Sequence, residues 1–257
     1  MLSFVLALAV ASFAGVPSDS DDAVRSTVTI GGTVGAVRGG NEVHFGAGEI
    51  LAQRADGTLL VLTARHVVAN LGTLRVFLHD DVPSGSSVQR FFSPGAGREA
   101  SVVALAGDTD LALIAFRPQP GDRFALARFG DADPAHGTIV GHPYGAAWTT
   151  STFALVDTGS ATLIVRCARC GPGDSGGGVF DAEGGLAGIV TESQDNVVDG
   201  RPVATGIFRA IALAPIRRFV ASAGASIAAT PAVPLLATRA ISASGAWTRF
   251  NADRNGP

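Results

Sequence analysis

The stretch CARCGPGDSGGG, residues 167–178, packs two cysteines, a proline, several glycines and one Asp-Ser pair into a single run. Its composition admits a surface loop, a metal knuckle, a redox motif or an active-site wall, and the rest of the chain arbitrates. Glycines on both sides of Ser175 permit backbone conformations closed to other residues and let a substrate carbonyl approach the main chain. Successive amides at Gly173, Asp174 and Ser175 are placed to form an anion-binding concavity. Amides aimed at a developing oxyanion contribute heavily to the rate of acyl transfer. A serine hydroxyl is a poor nucleophile alone, so this reading needs a base elsewhere in the chain.

Upstream, LLVLTARHVVAN (59–70) runs from an apolar strand into a polar turn and then His66. A histidine on the rim of a buried strand is positioned, and imidazole is suited to proton transfer near neutral pH. A lone histidine is more often an ordinary satisfied residue, so His66 needs a partner to matter. GDTDLALIAF (107–116) offers one. Asp110 abuts an apolar run, where a carboxylate is costly unless paired. It is read either as a turn residue at a strand entry or as the group that orients an imidazole. Base, carboxylate and nucleophile occur in the order His, Asp, Ser, one of the known chain orders for such a triad.

The remaining sequence suits that site. The chain has 257 residues, 47% of them apolar, with 33 glycines and a net charge of −3. A single all-β domain of this length is routine, and the charge balance gives no pull toward nucleic acid or anionic lipid. Short β-rich runs recur from STVTIGGTVGAV (26–37) to GIFRAI (206–211), separated by turn signals such as ADGT and DAEGG. Their spacing predicts a sandwich or barrel. LAPIRRFVASAG (213–224) is the one convincing helix, and an Ala/Ser/Thr-rich tail (225–257) follows it. Residues 1–14 form an apolar run closing on small residues, with no Lys or Arg before it. It reads as an export signal, with a retained membrane anchor as the alternative, and is too short to span a bilayer comfortably. Residues 15–25 read as a polar linker. The expected location is periplasmic or secreted.

LTARHVV (62–68), DTDLALI (108–114) and GPGDSGG (171–177) resemble the three catalytic blocks of the chymotrypsin/trypsin-like serine peptidases, the bacterial branch above all. FGAGEIL, VGHPYG and GGLAGIVTES are similar to flanking segments of the same family, so the resemblance runs over residues 26–222. It implies an all-β domain (26–224) of two packed six-stranded β-barrels with a C-terminal helix. It also implies a serine endopeptidase that hydrolyses peptide bonds through an acyl-enzyme, without cofactor or metal. Carried over by position, His66 is the general base, Asp110 its orienting partner, Ser175 the nucleophile, and the amides of Gly173 and Ser175 the oxyanion hole. Thr191 falls where the family has a small hydroxyl residue supporting the buried aspartate, and Glu192 and Ser193 border the edge where a peptide adds as a strand. Partners are then a protein or peptide substrate, with a monomer expected and no stable membrane span. A catalytically silent peptide-binding module on the same fold, or an esterase, remains the alternative.

Three features depart from the family pattern. Arg169 stands six residues before Ser175, where trypsin-like enzymes place an aspartate, so cleavage after basic residues is disfavoured. An inward Arg169 favours an acidic P1 residue and an outward one a small or apolar P1. Ile30-Gly31-Gly32 lacks a preceding basic activation site, so Asp174 is expected to be held by an internal donor, not by a newly cut N-terminus. Cys170 joins Arg169, Thr191, Glu192 and Ser193 as a pocket candidate, and Cys167 and Cys170 have no second pair to complete a zinc site. A local disulfide is favoured over two thiols.

Overall fold

The computed structural model describes residues 19–227 apart from 38–39, 70, 94, 131–132 and 199–200. The expected signal segment (1–14) lies outside the described residues, as does the tail beyond residue 227. Among the described residues, no helix is long and apolar enough to cross a membrane.

The chain enters through helix α1 (Asp19–Ser26), in the stretch expected to be a linker. Asp21 and Asp22 lie near its N-terminal end, where carboxylates interact favourably with the helix dipole, and Ala23 is buried. Six strands follow: β1 (Thr27–Val37), β2 (Gly40–Gln53), β3 (Leu59–Ala64), β4 (Arg75–Phe77), β5 (Arg98–Leu105) and β6 (Leu111–Phe116). They close into a barrel in the order β1-β2-β3-β6-β5-β4. A single helical turn, α2 (Arg65–Val68), interrupts the chain after β3. The second barrel holds β7 (His136–Gly141), β8 (Thr149–Thr158), β9 (Thr162–Arg166), β10 (Gly178–Phe180), β11 (Leu186–Val198) and β12 (Arg201–Ala212), in the order β10-β11-β12-β9-β8-β7. The fold is therefore the all-β pair of six-stranded barrels with a C-terminal helix, α3 (Leu213–Ile227).

Each barrel is filled by its own alternating apolar residues. Val28, Ile30, Ile50, Val61 and Ile114 meet inside the first, and Ile139, Phe153, Leu163, Val165 and Val179 inside the second. A third cluster joins Leu62, Leu111 and Leu113 of the first barrel to Val140, Phe180 and Ile189 of the second. Helix α3 covers it with Ile216, Phe219, Val220 and Ala223, the i, i+3, i+4, i+7 spacing of one helix face. Pro215 sits in the first turn of α3, where its missing N–H costs nothing.

Two strands run further than their apolar patterning suggests. β11 and β12 continue past the barrel as a hairpin pairing Glu192 with Arg209 and ending at Val198↔Arg201. The segment ESQDNVVDGRPV is polar and carries Gly and Pro, so it reads as a loop. With Glu192 to Asn196 all exposed, no core demands an apolar face there.

Candidate active site

Register alone brings two of the predicted residues together. β3 pairs antiparallel with β6 up to Ala64↔Leu111, so the residues just beyond that pair, at the end of β3 and the start of β6, emerge side by side. Arg65 N–H donates to Asp110 O at 3.1 Å. His66 N–H donates to Asp110 Oδ1 at 3.0 Å, and His66 Nδ1 meets Asp110 Oδ2 at 2.5 Å. The carboxylate thus grips the backbone of the helical turn as well as the ring. With Nδ1–H donating to Asp110, the basic lone pair of the ring is the one on Nε2. The two side chains are 20% and 32% exposed, half-sunk at the barrel rim and still reachable.

Ser175 is set by both barrels. Its carbonyl accepts from Ala47 N–H of β2 at 2.8 Å, and the Ala47 carbonyl in turn accepts from Thr63 Oγ1 of β3 at 2.6 Å. From the second barrel, Gly176 N–H donates to Val190 O at 2.8 Å, and Val190 N–H donates to Gly177 O at 3.0 Å. Gly46 explains how closely the pieces meet. A Cβ there would stand 2.7 Å from Ser175 O and 2.7 Å from Val67 Cγ2, so the serine turn and the residue after His66 press on the same bare backbone.

The loop before the serine is a pair of consecutive turns. Asp174 N–H donates to Gly171 O at 3.1 Å and Gly177 N–H to Asp174 O at 2.9 Å. Gly173 has φ +106°, and a Cβ on it would lie 2.2 Å from His142 O, so only glycine fits. Among the described residues the amides of Gly173 and Ser175 donate to no protein group, whereas that of Asp174 between them is used internally. Asp174 N–H therefore drops out of the three-amide concavity expected from the sequence.

Asp174 is buried. Its Oδ2 accepts from Gly171 N–H at 2.8 Å, and the backbone of His142 supplies a second hydrogen bond. Burial pushes its carboxyl up to about 7 despite both donors. Ile30 lies mid-strand in β1, buried and paired with Gly46 on one side and Val76 on the other. Its nitrogen is a strand amide, and the donors to Asp174 are internal.

His142 begins the Pro143–Gly145 turn yet is fully buried. Trp148 N–H donates to its Nδ1 at 3.3 Å, so the ring proton sits on Nε2 and points to Thr29 Oγ1, 3.0 Å away. Burial holds its pKa down at about 4, and the ring is neutral.

Glu49 is a site residue that the sequence patterning does not single out. It is fully buried between the barrels, with Oε1 accepting from Gly178 N–H at 2.7 Å. Its carboxyl also meets Thr27 Oγ1 at 3.1 Å and Ser26 Oγ at 3.3 Å. Both hydroxyls reach Ala23 O as well, Thr27 Oγ1 at 2.8 Å and Ser26 Oγ at 3.0 Å. When they donate to Ala23, a proton on Glu49 completes the contacts. Burial lifts the carboxyl well above the usual carboxylate range, in agreement with a neutral acid. The only sequence signal is an acidic residue inside the apolar run FGAGEILA (45–52).

The pocket candidates spread out. Cys167 and Cys170 are buried and form a disulfide, with Cα atoms 5.5 Å apart. Arg169 between them is exposed. The Thr191 hydroxyl, expected to support Asp110, donates instead to Arg209 O at 3.4 Å, because a bulge at this position turns it into its own hairpin. Glu192 pairs with Arg209 at 3.1 Å, and Ser193 is exposed.

A family model described as a trypsin-like peptidase domain matches residues 46–189, which include His66, Asp110, Gly173 and Ser175. No curated protein matches the chain. Among solved structures it is similar to the HtrA-type protease AlgW with tripeptide, at 22% identity and a TM-score of 0.60 over 79% of this chain. The chain spans 62% of that protein's length. It is also similar to the serine endoprotease from Yersinia pestis, at 22% identity and a TM-score of 0.58, covering 81% of this chain and 68% of that one. At such identities the likeness is one of fold.

Proposed function

The chain belongs to the trypsin-like peptidase domain family, and from that premise we propose that it is a serine endopeptidase acting through Ser175, His66 and Asp110. The observation that carries the reading is the double grip of Asp110 on His66, held beside a serine turn whose two flanking amides are left unspent. In this mechanism His66 Nε2 takes the Ser175 proton as Oγ attacks the scissile carbonyl. Asp110 stabilises the imidazolium, and the amides of Gly173 and Ser175 receive the oxyanion. Collapse expels the amine, protonated by His66, and leaves an acyl-serine. Water then repeats the cycle, with His66 as base, and frees the acid.

An exposed Arg169 supports a small or apolar P1 residue over an acidic one. The disulfide fits an oxidising compartment and so supports export. A fluorophosphonate probe tests the reading. Labelling of the wild-type chain and none of Ser175→Ala is expected. Folded wild-type protein that takes no label would turn the assignment to a silent peptide-binding module.

A further inference from the structure

A cavity of about 300 Å³ that the proposed reaction does not use lies between helix α1, the segment joining β4 to β5, and the start of β8. Its inner wall is aromatic. Trp148 is buried there at φ +55°, a left-handed conformation that a bulky residue keeps only when its surroundings impose it. The His79 ring rests 5.3 Å from the indole. At the mouth, Asp21, Ser84 and Thr150 are exposed.

The charges around this space nearly cancel, and two of them are unspent. Asp80 takes Arg123 at 2.8 Å and His79 Nδ1 at 3.3 Å, but Arg25 only at 3.6 Å. Arg25 can therefore turn into the cavity without leaving Asp80 bare. Asp21 stands one helical turn before Arg25 on the same face of α1. It has no ion-pair partner among the described residues. A carboxylate and a guanidinium thus face one cavity, with the aromatic wall behind them.

We propose that this cavity is an effector site for a zwitterionic α-amino acid with a large apolar side chain. The ligand's carboxylate meets Arg25, its ammonium meets Asp21, and its side chain lies against Trp148 and His79. A ligand of one charge sign is disfavoured, because it satisfies one of the two groups and repels the other. The volume is at the small end for ligand sites and suits a single amino acid.

Occupancy bears on the Ser175 turn by two routes. Trp148 N–H holds His142 Nδ1, and the His142 carbonyl is the atom that confines Gly173. At the other wall, α1 ends in Ser26, and Ser26 and Thr27 hold Glu49, which takes the Gly178 amide. A ligand bridging α1 and Trp148 therefore braces both supports of the turn. The effector role rests on the peptidase reading, whereas binding does not.

Calorimetric titration of the full chain with L-phenylalanine tests the site. Saturable binding with a Kd on the order of 0.1–1 mM is expected. N-acetyl-L-phenylalanine lacks the ammonium and L-phenylalaninamide the carboxylate, and each should bind about tenfold more weakly. Asp21→Asn should erase the penalty for acetylation and Arg25→Gln the penalty for amidation, each beside an unchanged circular dichroism spectrum. Saturating L-phenylalanine should speed fluorophosphonate labelling of the wild type by about fivefold. No saturable binding at concentrations about tenfold above that range overturns the inference. Equal binding of the blocked analogues, or penalties that survive in both variants, overturns the ligand class. Binding that leaves the labelling rate unchanged overturns the effector role. Absence of labelling would strike the peptidase reading and the effector role with it, while calorimetry still decides the site.

Discussion

The amide of Gly178, three residues beyond Ser175, donates to Glu49 Oε1 at 2.7 Å from the opposite barrel. This bond joins positions 129 residues apart and ties the serine turn to strand β2 and the α1–β1 junction. Glu49→Ala is expected to lose about 2–4 kcal/mol, because it leaves a buried N–H unpaired and opens a cavity. Glu49→Gln keeps an acceptor for Gly178 and gains a donor for the hydroxyls, so it should stay near wild type. Urea unfolding of the two variants checks this. The folded-state value of Glu49 is raised, so its contribution is complete below the ordinary carboxylate range and is lost as pH climbs through the folded value. The glutamine variant should lack that alkaline loss.

Asp110→Asn should leave the fold in place and lower kcat by roughly 10³–10⁴ at neutral pH. The amide cannot favour the Nδ1–H tautomer as the carboxylate does, and an NH₂ turned toward Nδ1 would place the ring proton on Nε2 instead. Steady-state kinetics beside an unchanged circular dichroism spectrum would establish it.

Gly173→Ala forces a Cβ to within 2.2 Å of His142 O at a left-handed φ. The turn must shift, and with it one of the two unspent amides. A fall in kcat of about 10²–10³, larger than any change in KM, is expected in peptide hydrolysis. A mainly KM effect would argue that the amide does not serve the transition state.

Asp174 and His142 give opposite pH signatures from adjoining places. Asp174 has its folded value raised from 3.8 to about 7 by burial, so its contribution is complete below pH 3.8 and is lost as pH rises toward and through 7. His142 has its folded value lowered from 6.5 to about 4 by burial, so its contribution is present above pH 6.5 and is lost as pH falls through 4. Tm measured from pH 4 to 9 should show both limbs. Asp174→Asn should flatten the neutral-to-alkaline limb and His142→Gln the acid limb, whatever each does to overall stability.

Much of this architecture is legible in the sequence because it is local. The short β-rich runs coincide with the strands of both barrels, since each strand must alternate or bury its own residues whatever its neighbours do. The glycine at 173 and the turns around Ser175 announce themselves for the same reason. What stays hidden is long-range or polar. Glu49 meets Gly178 only after the barrels dock, and no periodicity within β2 registers that partner. Position alone assigns Thr191 to Asp110, yet a single bulged residue redirects its hydroxyl to Arg209. The α1 helix is too short and polar to show an apolar stripe, and the described residues Glu192 to Asn196 of the outer hairpin are exposed.

The backbone of Ser175 is secured by Ala47 from the first barrel and, through the glycines after it, by Val190 from the second. During synthesis, the first barrel leaves the ribosome with His66 and Asp110 but without Ser175. The serine follows, yet its turn lacks its last anchors until β11 has also emerged. A truncated chain ending before Val190 therefore carries all three residues without the framework that aligns them. On the proposed triad, the site is complete only once both barrels have been made.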